Sequence, residues 1–252
     1  MGSLRGGHIE GQGISEARWL ASRKLAALPR IRLDQLIGSA ARLVVVSPHP
    51  DDEVLGCGGL LAMAAADGMD IVIVSVTDGE AAYPGEAAWP PPRLAAARRE
   101  ELHEALACLG IDPANVMRIE VGDGQVRAHG DVLAARLAAL IRPTDAVFVT
   151  YAGDGHPDHE ACADAAISVA AAYGARLVQY PVWAWHWDDP ENSTMLVSAT
   201  RLALTDTVRA AKARALAAFK TQTGEVVPRL ADPILPEWAL ARFRRDFEVY
   251  IA

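Results

Sequence analysis

Apolar positions along the chain fall into two alternating rhythms. Short runs rich in β-branched residues predict strands at "RLVVVS" (42–47), "DIVIVSV" (70–76), "NVMRIEV" (115–121), "DAVFVT" (145–150) and "RLVQYPV" (176–182). Between them, apolar residues recur at three- and four-residue steps over about 54–67, 91–109, 129–141 and 158–173, which predicts helices. Further on the pattern loosens into a strand at 195–204, a helix at 206–221 and the Pro-spaced stretch "VVPRLADPILPEW". Strands that read as continuous apolar runs are buried on both faces, as parallel strands covered by helices are. The predicted fold is therefore α/β, a Rossmann-like, doubly wound, mostly parallel sheet with helices on both faces.

The 252 residues, 51% of them hydrophobic, suffice for one large domain, read here as 14–252. The opening "MGSLRGGHIEGQG" (1–13) is Gly-rich and without periodicity, and reads as a disordered tail or a cloning remnant. A net charge of −8 without a Lys/Arg cluster argues against nucleic acid or an anionic membrane as partner. No apolar stretch approaches the ~20 residues of a membrane span and no signal segment opens the chain, so the expected location is cytoplasmic. Cys57, Cys108 and Cys162 are odd in number and lack CxxC spacing, which points to reduced packing residues.

Three stretches fall at strand ends, where open α/β sheets bind ligands. They are "PHPDDE" (48–53), "TDGE" (77–80) and "GDGHPDHE" (153–160). His49 and Asp52 are three apart, one side of a helical turn, and could share a cation. His156 and His159 repeat that spacing. Two imidazoles and one carboxylate make the three-ligand set of a catalytic zinc site, which leaves a position for water. Asp51, offset by one residue, is free to take a proton from such a water. Pro48 and Pro50 stiffen the turn, and Gly56, Gly58 and Gly59 permit close approach. Helix capping explains Asp51, Asp52 and Glu53 equally well, since carboxylates suit a helix N-terminus. It does not explain His49 between two prolines, nor a second "HPD" turn after another strand.

With these motifs the chain resembles the PIG-L/LmbE-type zinc-dependent N-acetylglucosaminyl deacetylases. "PHPDDE" and "HPDH" (156–159) carry the resemblance, with weaker support from "RREELHEALACLG" (98–110), "GDG" (122–124) and "KARALAAFKTQ" (212–222). It implies Zn2+ held by His49, Asp52 and His159, with Asp51 as general base. It also implies His156 as oxyanion stabiliser oriented by Asp158, and Arg98 and Asp123 as contacts to sugar hydroxyls, with Glu80 at the rim. The implied reaction removes acetyl from an N-acetylglucosamine-type sugar or its glycoconjugate, with a small amino sugar as the partner. Arg98, Arg99, Glu100 and Glu101 could equally form a solvated helix face.

Where some members of that family carry a Tyr, this chain has Asp154, which leaves the general acid unassigned, although a protonated Asp51 could return its proton to the amine. "YPVWAWHW" (180–187), with Trp183, Trp185, His186 and Trp187, offers either a platform for a sugar ring or ordinary packing. Two other readings compete. The same two-His, one-Asp set suits a non-haem iron(II) oxygenase, and the α/β rhythm suits a non-enzymatic Rossmann-like binding module, though no GxGxxG follows the first strand.

Overall fold

The computed structural model describes residues 11–227 and 233–252, together with the backbone of 4–5 and 8–9. Strands β1 (Arg30–Ile31), β2 (Arg42–Ser47), β3 (Asp70–Ser75), β4 (Val116–Arg118), β5 (Asp145–Thr150), β6 (Arg176–Tyr180), β7 (Ala199–Ala203) and β8 (Phe247–Ile251) form one sheet. Their spatial order is β1-β7-β8-β6-β5-β2-β3-β4. Neighbours pair in parallel except β8, which runs antiparallel to both β7 and β6. The long helices are α1 (Asp52–Ala66), α2 (Pro91–Cys108), α3 (Gly130–Leu140), α4 (Pro157–Tyr173) and α5 (Asp206–Leu216).

The apolar runs at 42–47 and 145–150 form strands with those bounds, and every residue in both is buried. Alternate side chains of β2 go to opposite faces, as the pleat requires. Leu43 and Val45 pack with Leu55 and Leu60 of α1, whereas Val44 and Val46 pack with Leu133 and Leu137 of α3 and Ala163 of α4. At the start of the pair, Arg42 and Asp145 lie opposite one another and form a buried ion pair at 2.7 Å.

The later chain departs from the pattern read in the sequence. The strand read at 115–121 pairs only over Val116–Arg118, and that at 195–204 over Ala199–Ala203. The helix read to 221 stops at Leu216, and a separate turn, Lys220–Thr223, follows. Thr221 donates from both its N–H and its hydroxyl to the Glu101 carboxylate, at 2.7 and 2.6 Å, an acceptor that draws the segment out of helical line. Of the Pro-spaced stretch, 228–232 lie outside the described residues.

The C-terminal strand was not foreseen, and β8 is tied to α1 by charge. Glu248 accepts from Gly59 N–H and Leu60 N–H, at 2.6 and 2.8 Å, and pairs with Lys212, whose ammonium also donates to Leu55 O. Gly56 is needed here, because a Cβ would fall 2.1 Å from the Tyr180 ring. The glycines of α1 thus admit packing partners. Of the segment 1–13, residues 1–3, 6–7 and 10 lie outside the described residues. Of the part that is described, Gln12 O accepts from Arg242, as does Ile14 O just beyond it.

Candidate metal centre

β2 and β5 are neighbours, yet the chain leaves β2 towards β3 on one side and begins β5 on the other. Their carboxyl ends flank the point where strand order reverses, where open α/β sheets bind ligands. His49, Asp51 and Asp52 follow β2, and His156, Asp158 and His159 follow β5.

Three atoms converge there. Asp52 Oδ2 lies 3.2 Å from His49 Nδ1 and 3.2 Å from His159 Nε2, and the two ring nitrogens are 3.3 Å apart. For a tetrahedral ion with ligands at about 2.0–2.1 Å, neighbouring ligands sit about 3.3–3.4 Å apart. The triangle therefore has the right edge for one face of such a site, and His49, Asp52 and His159 could hold a divalent metal. His49, His156 and Asp158 form a second cluster that shares His49.

Each imidazole is aimed by an acid behind it. His159 Nδ1–H donates to Asp154 Oδ2 at 2.7 Å, which leaves Nε2 facing Asp52. Asp154 is wholly buried and also accepts from the N–H groups of Val182, Trp183 and Ala184, at 2.8, 2.9 and 3.0 Å. His49 Nε2 lies 3.1 Å from Asp123 Oδ1 and 3.4 Å from Asp158 Oδ2, which leaves Nδ1 for the centre. Such outer carboxylates fix tautomer and ring orientation in metal sites. Burial opposes charge on His159, but Asp52 and Asp154 outweigh it and raise the ring to about 9. Against its own burial, Asp52 is held well below the usual carboxylate range by His159 and His49.

Asp51 occupies the N-cap position of α1 yet makes no side-chain cap hydrogen bond. Capping therefore does not account for it. Its backbone has φ 153° and ψ −29°, a conformation that costs a non-glycine residue about 1–3 kcal/mol. Its carboxylate accepts from Arg98 Nη2 at 3.0 Å, and burial pushes it up to about 7 while Arg98 pulls the other way. Burial raises Glu53 to about 8, although its Oε2 accepts from the Ser47 hydroxyl at 2.6 Å and from Asp51 N–H at 3.3 Å.

Arg98 is 3% exposed and Glu101 7%, so these two turn inwards, while Glu100 is exposed and Arg99 half-buried. Arg98 also donates to Gly79 O and Pro50 O, at 3.0 Å each. Gly79 is required for that approach, since a Cβ there would lie 1.8 Å from Arg98 Nη1. Asp123 Oδ2 accepts from Ala81 N–H, and its own N–H donates to Glu80.

His156 borders the cavity above these groups. Its Nδ1 accepts from the main-chain N–H of Asp158 at 3.2 Å, so the neutral ring carries its proton on Nε2. Burial and the nearby His159 and His49 push it down to about 3, so it is neutral. The Asp158 main chain, rather than its carboxylate, holds this ring; the carboxylate accepts from Gly124 and Val126 N–H.

Sequence reasoning missed Asp154 as a partner of His159. An acid five residues before the second His of "HPDH" was the available signal. Of the aromatic stretch, Trp183 lines the cavity, Trp185 packs edge-on against Trp19, and Trp187 donates to Asp154 O. His186 is buried between Trp187 and Trp238.

A family model described as PIG-L, GlcNAc-PI de-N-acetylase, matches residues 44–170. A 1D-myo-inositol 2-acetamido-2-deoxy-alpha-D-glucopyranoside deacetylase of Rhodococcus jostii is 34% identical over 178 residues, 60% of this chain and 59% of that protein. A protein of the same name from Thermobifida fusca is 36% identical over 151 residues, 47% of this chain and 50% of its own. The chain thus spans about three fifths of the length of the first of these relatives, 59%. Among solved structures, the N,N'-diacetylchitobiose deacetylase of Pyrococcus horikoshii aligns with TM-score 0.58 and 22% identity over 71% of this chain and 69% of that one. A zinc-inhibited teicoplanin deacetylase aligns with TM-score 0.61 and 22% identity over 73% and 85%. These structural likenesses establish the α/β fold.

Proposed function

The chain belongs to the PIG-L family, and from that premise we propose that it is a zinc-dependent amidohydrolase removing the N-acetyl group of an N-acetylglucosamine-type sugar or its glycoconjugate. The observation that carries this reading is the triangle of His49 Nδ1, Asp52 Oδ2 and His159 Nε2, with edges of 3.2–3.3 Å, beside a buried acid that cannot be explained as a cap. Two imidazoles and a carboxylate suit zinc, which would lower the pKa of water at the open position to about 7 and polarise the amide oxygen.

The protein's own groups supply the rest. Asp51 takes a proton as water adds to the amide carbon, and its raised pKa near 7 suits it to return that proton to the departing nitrogen. Water and amide become acetic acid and amine, and passage of the acid's proton to the amine leaves acetate and ammonium, with Asp51 restored and no separate general acid required. Arg98 holds the Asp51 carboxylate in place. His156 Nε2–H donates to the oxygen on which negative charge grows. Asp154 and Asp123 keep His159 and His49 in the tautomers that face the metal. The reading includes a cytoplasmic location, in keeping with three free cysteines.

Metal analysis combined with acetate release tests the roles separately. His159→Ala should lose zinc, whereas Asp51→Asn should keep it and lose about 10²–10⁴ in rate. Normal turnover by Asp51→Asn would remove the general-base assignment.

A further inference from the structure

Resting on the deacetylase reading, we infer that the substrate carries, beyond its amino sugar, an uncharged group with a flat apolar face, seated against Trp183 and Trp238. The metal-centre residues open on a cavity of about 360 Å³ whose remaining lining includes Trp183, Trp238, Ile234, Leu235 and Pro236. That volume lies within the range of about 300–1,000 Å³ typical of small-molecule sites, and it takes more than an acetyl group. Indole faces pair with sugar rings and with aromatic or aliphatic groups through apolar contact.

Charge selects further. Asp51, Asp52 and Asp123 all line the cavity, and among its described lining residues Arg98 is the only Lys or Arg. Its Nη1 and Nη2 are committed to Gly79 O, Pro50 O and Asp51, which leaves only Nε without a partner among the described residues. Among the described lining residues, a phosphate or carboxylate on the aglycone would meet three carboxylates and no Lys or Arg other than Arg98.

The apolar wall is held in place. Trp238 lies under Arg242, with the guanidinium carbon 5.1 Å from the ring centre, and Arg242 also binds Gln12 O and Ile14 O. Gln12 itself lines the cavity. Next to Gln12, Gly13 packs too closely for a side chain, because a Cβ there would lie 2.4 Å from His186 O. The main chain of Trp183 is fixed on Asp154, the same acid that aims His159, so platform and metal ligand share one anchor.

Steady-state kinetics of the zinc-loaded protein on three probes tests this: free N-acetylglucosamine, its 4-nitrophenyl glycosides of both anomers, and N-acetylglucosamine 1-phosphate. One aryl glycoside should show a KM about tenfold below that of the free sugar at similar kcat, a gain of about 1.4 kcal/mol, and the phosphate should be the poorest. Trp238→Ala and Trp183→Leu should each cut the aryl advantage in kcat/KM to below about threefold, while Trp238→Phe should retain it. A preparation that cleaves the free sugar but prefers the phosphate, gives the aryl group no advantage, or keeps that advantage in both Trp variants would overturn the inference alone. If zinc binds and no acetylated sugar releases acetate, the deacetylase reading falls and takes the inference with it.

Discussion

Asp154→Asn separates a positioning carboxylate from a merely buried one. Oδ1 accepts from Val182 and Ala184 N–H, and Oδ2 from Trp183 N–H and His159 Nδ1–H. An amide has one acceptor end and one donor end, so in either orientation two buried donors lose their acceptor. At about 1–3 kcal/mol for each unsatisfied group, the cost is about 2–6 kcal/mol. In one orientation the amide NH2 faces His159 Nδ1 and drives the proton to Nε2, which blocks the metal-facing atom. In the other the tautomer survives, but the negative charge behind the ring is gone. Loss of such an outer carboxylate weakens metal affinity by about 10–100-fold. The assay is a zinc competition titration against a chelating dye, with calorimetric melting of the metal-free protein beside it. For a domain of this size each kcal/mol shifts Tm by about 2–4 °C, so a drop of about 4 °C or more is expected. An Asp154→Asn protein with wild-type zinc affinity and an unchanged Tm would refute the orienting role.

Further outcomes follow from the same geometry. Asp51, Glu53 and His159 all have folded-state pKa values raised above their ordinary ones, to about 7, 8 and 9. Their contribution is full at low pH and lost as pH rises through those values, so the metal-free protein should melt at progressively lower temperature between pH 6 and 9; a flat Tm over that range would contradict it. Replacing one partner of the buried Lys212–Glu248 pair, as in Lys212→Met, strands a carboxylate and should cost about 3–5 kcal/mol in urea unfolding, whereas an exposed pair would cost under about 1. Gly79→Ala forces Arg98 off the Gly79 carbonyl and should reduce kcat while zinc content stays at wild-type level; unchanged kcat would show that Arg98 does not restrain Asp51.

What could be read from the residues divides along a physical line. β2 and β5 were legible to the residue because continuous β-branched runs leave no ambiguity of period. The convergence of His49, Asp52 and His159 followed from two motifs at the ends of strands that a doubly wound sheet brings together. β8 was not legible. Its "FEVYI" contains Glu248, which by type belongs on a surface, and its burial depends on Lys212, 36 residues away in sequence, and on the main chain of α1. Nor could spacing distinguish the duties of the acids. Asp51, Asp52 and Glu53 are consecutive, yet Asp52 is held low between two imidazoles, Asp51 is pushed up to about 7 beside Arg98, and Glu53 is pushed up to about 8 beside Ser47. Burial and neighbours made that difference.

The buried pair of Arg42 and Asp145 lies at the opposite end of β2 and β5 from the histidines, about 20 Å away at 3.3 Å per residue. A slip of one residue between these strands would break that pair and turn Val44 and Val46 to the wrong side, so the alignment tolerates no intermediate setting. The rear of the sheet thereby works as a jig: it sets where the two motif-bearing turns emerge, and those turns need only supply reach. Substitution at Arg42, which touches nothing at the front, should blur the aim of His49 relative to His159.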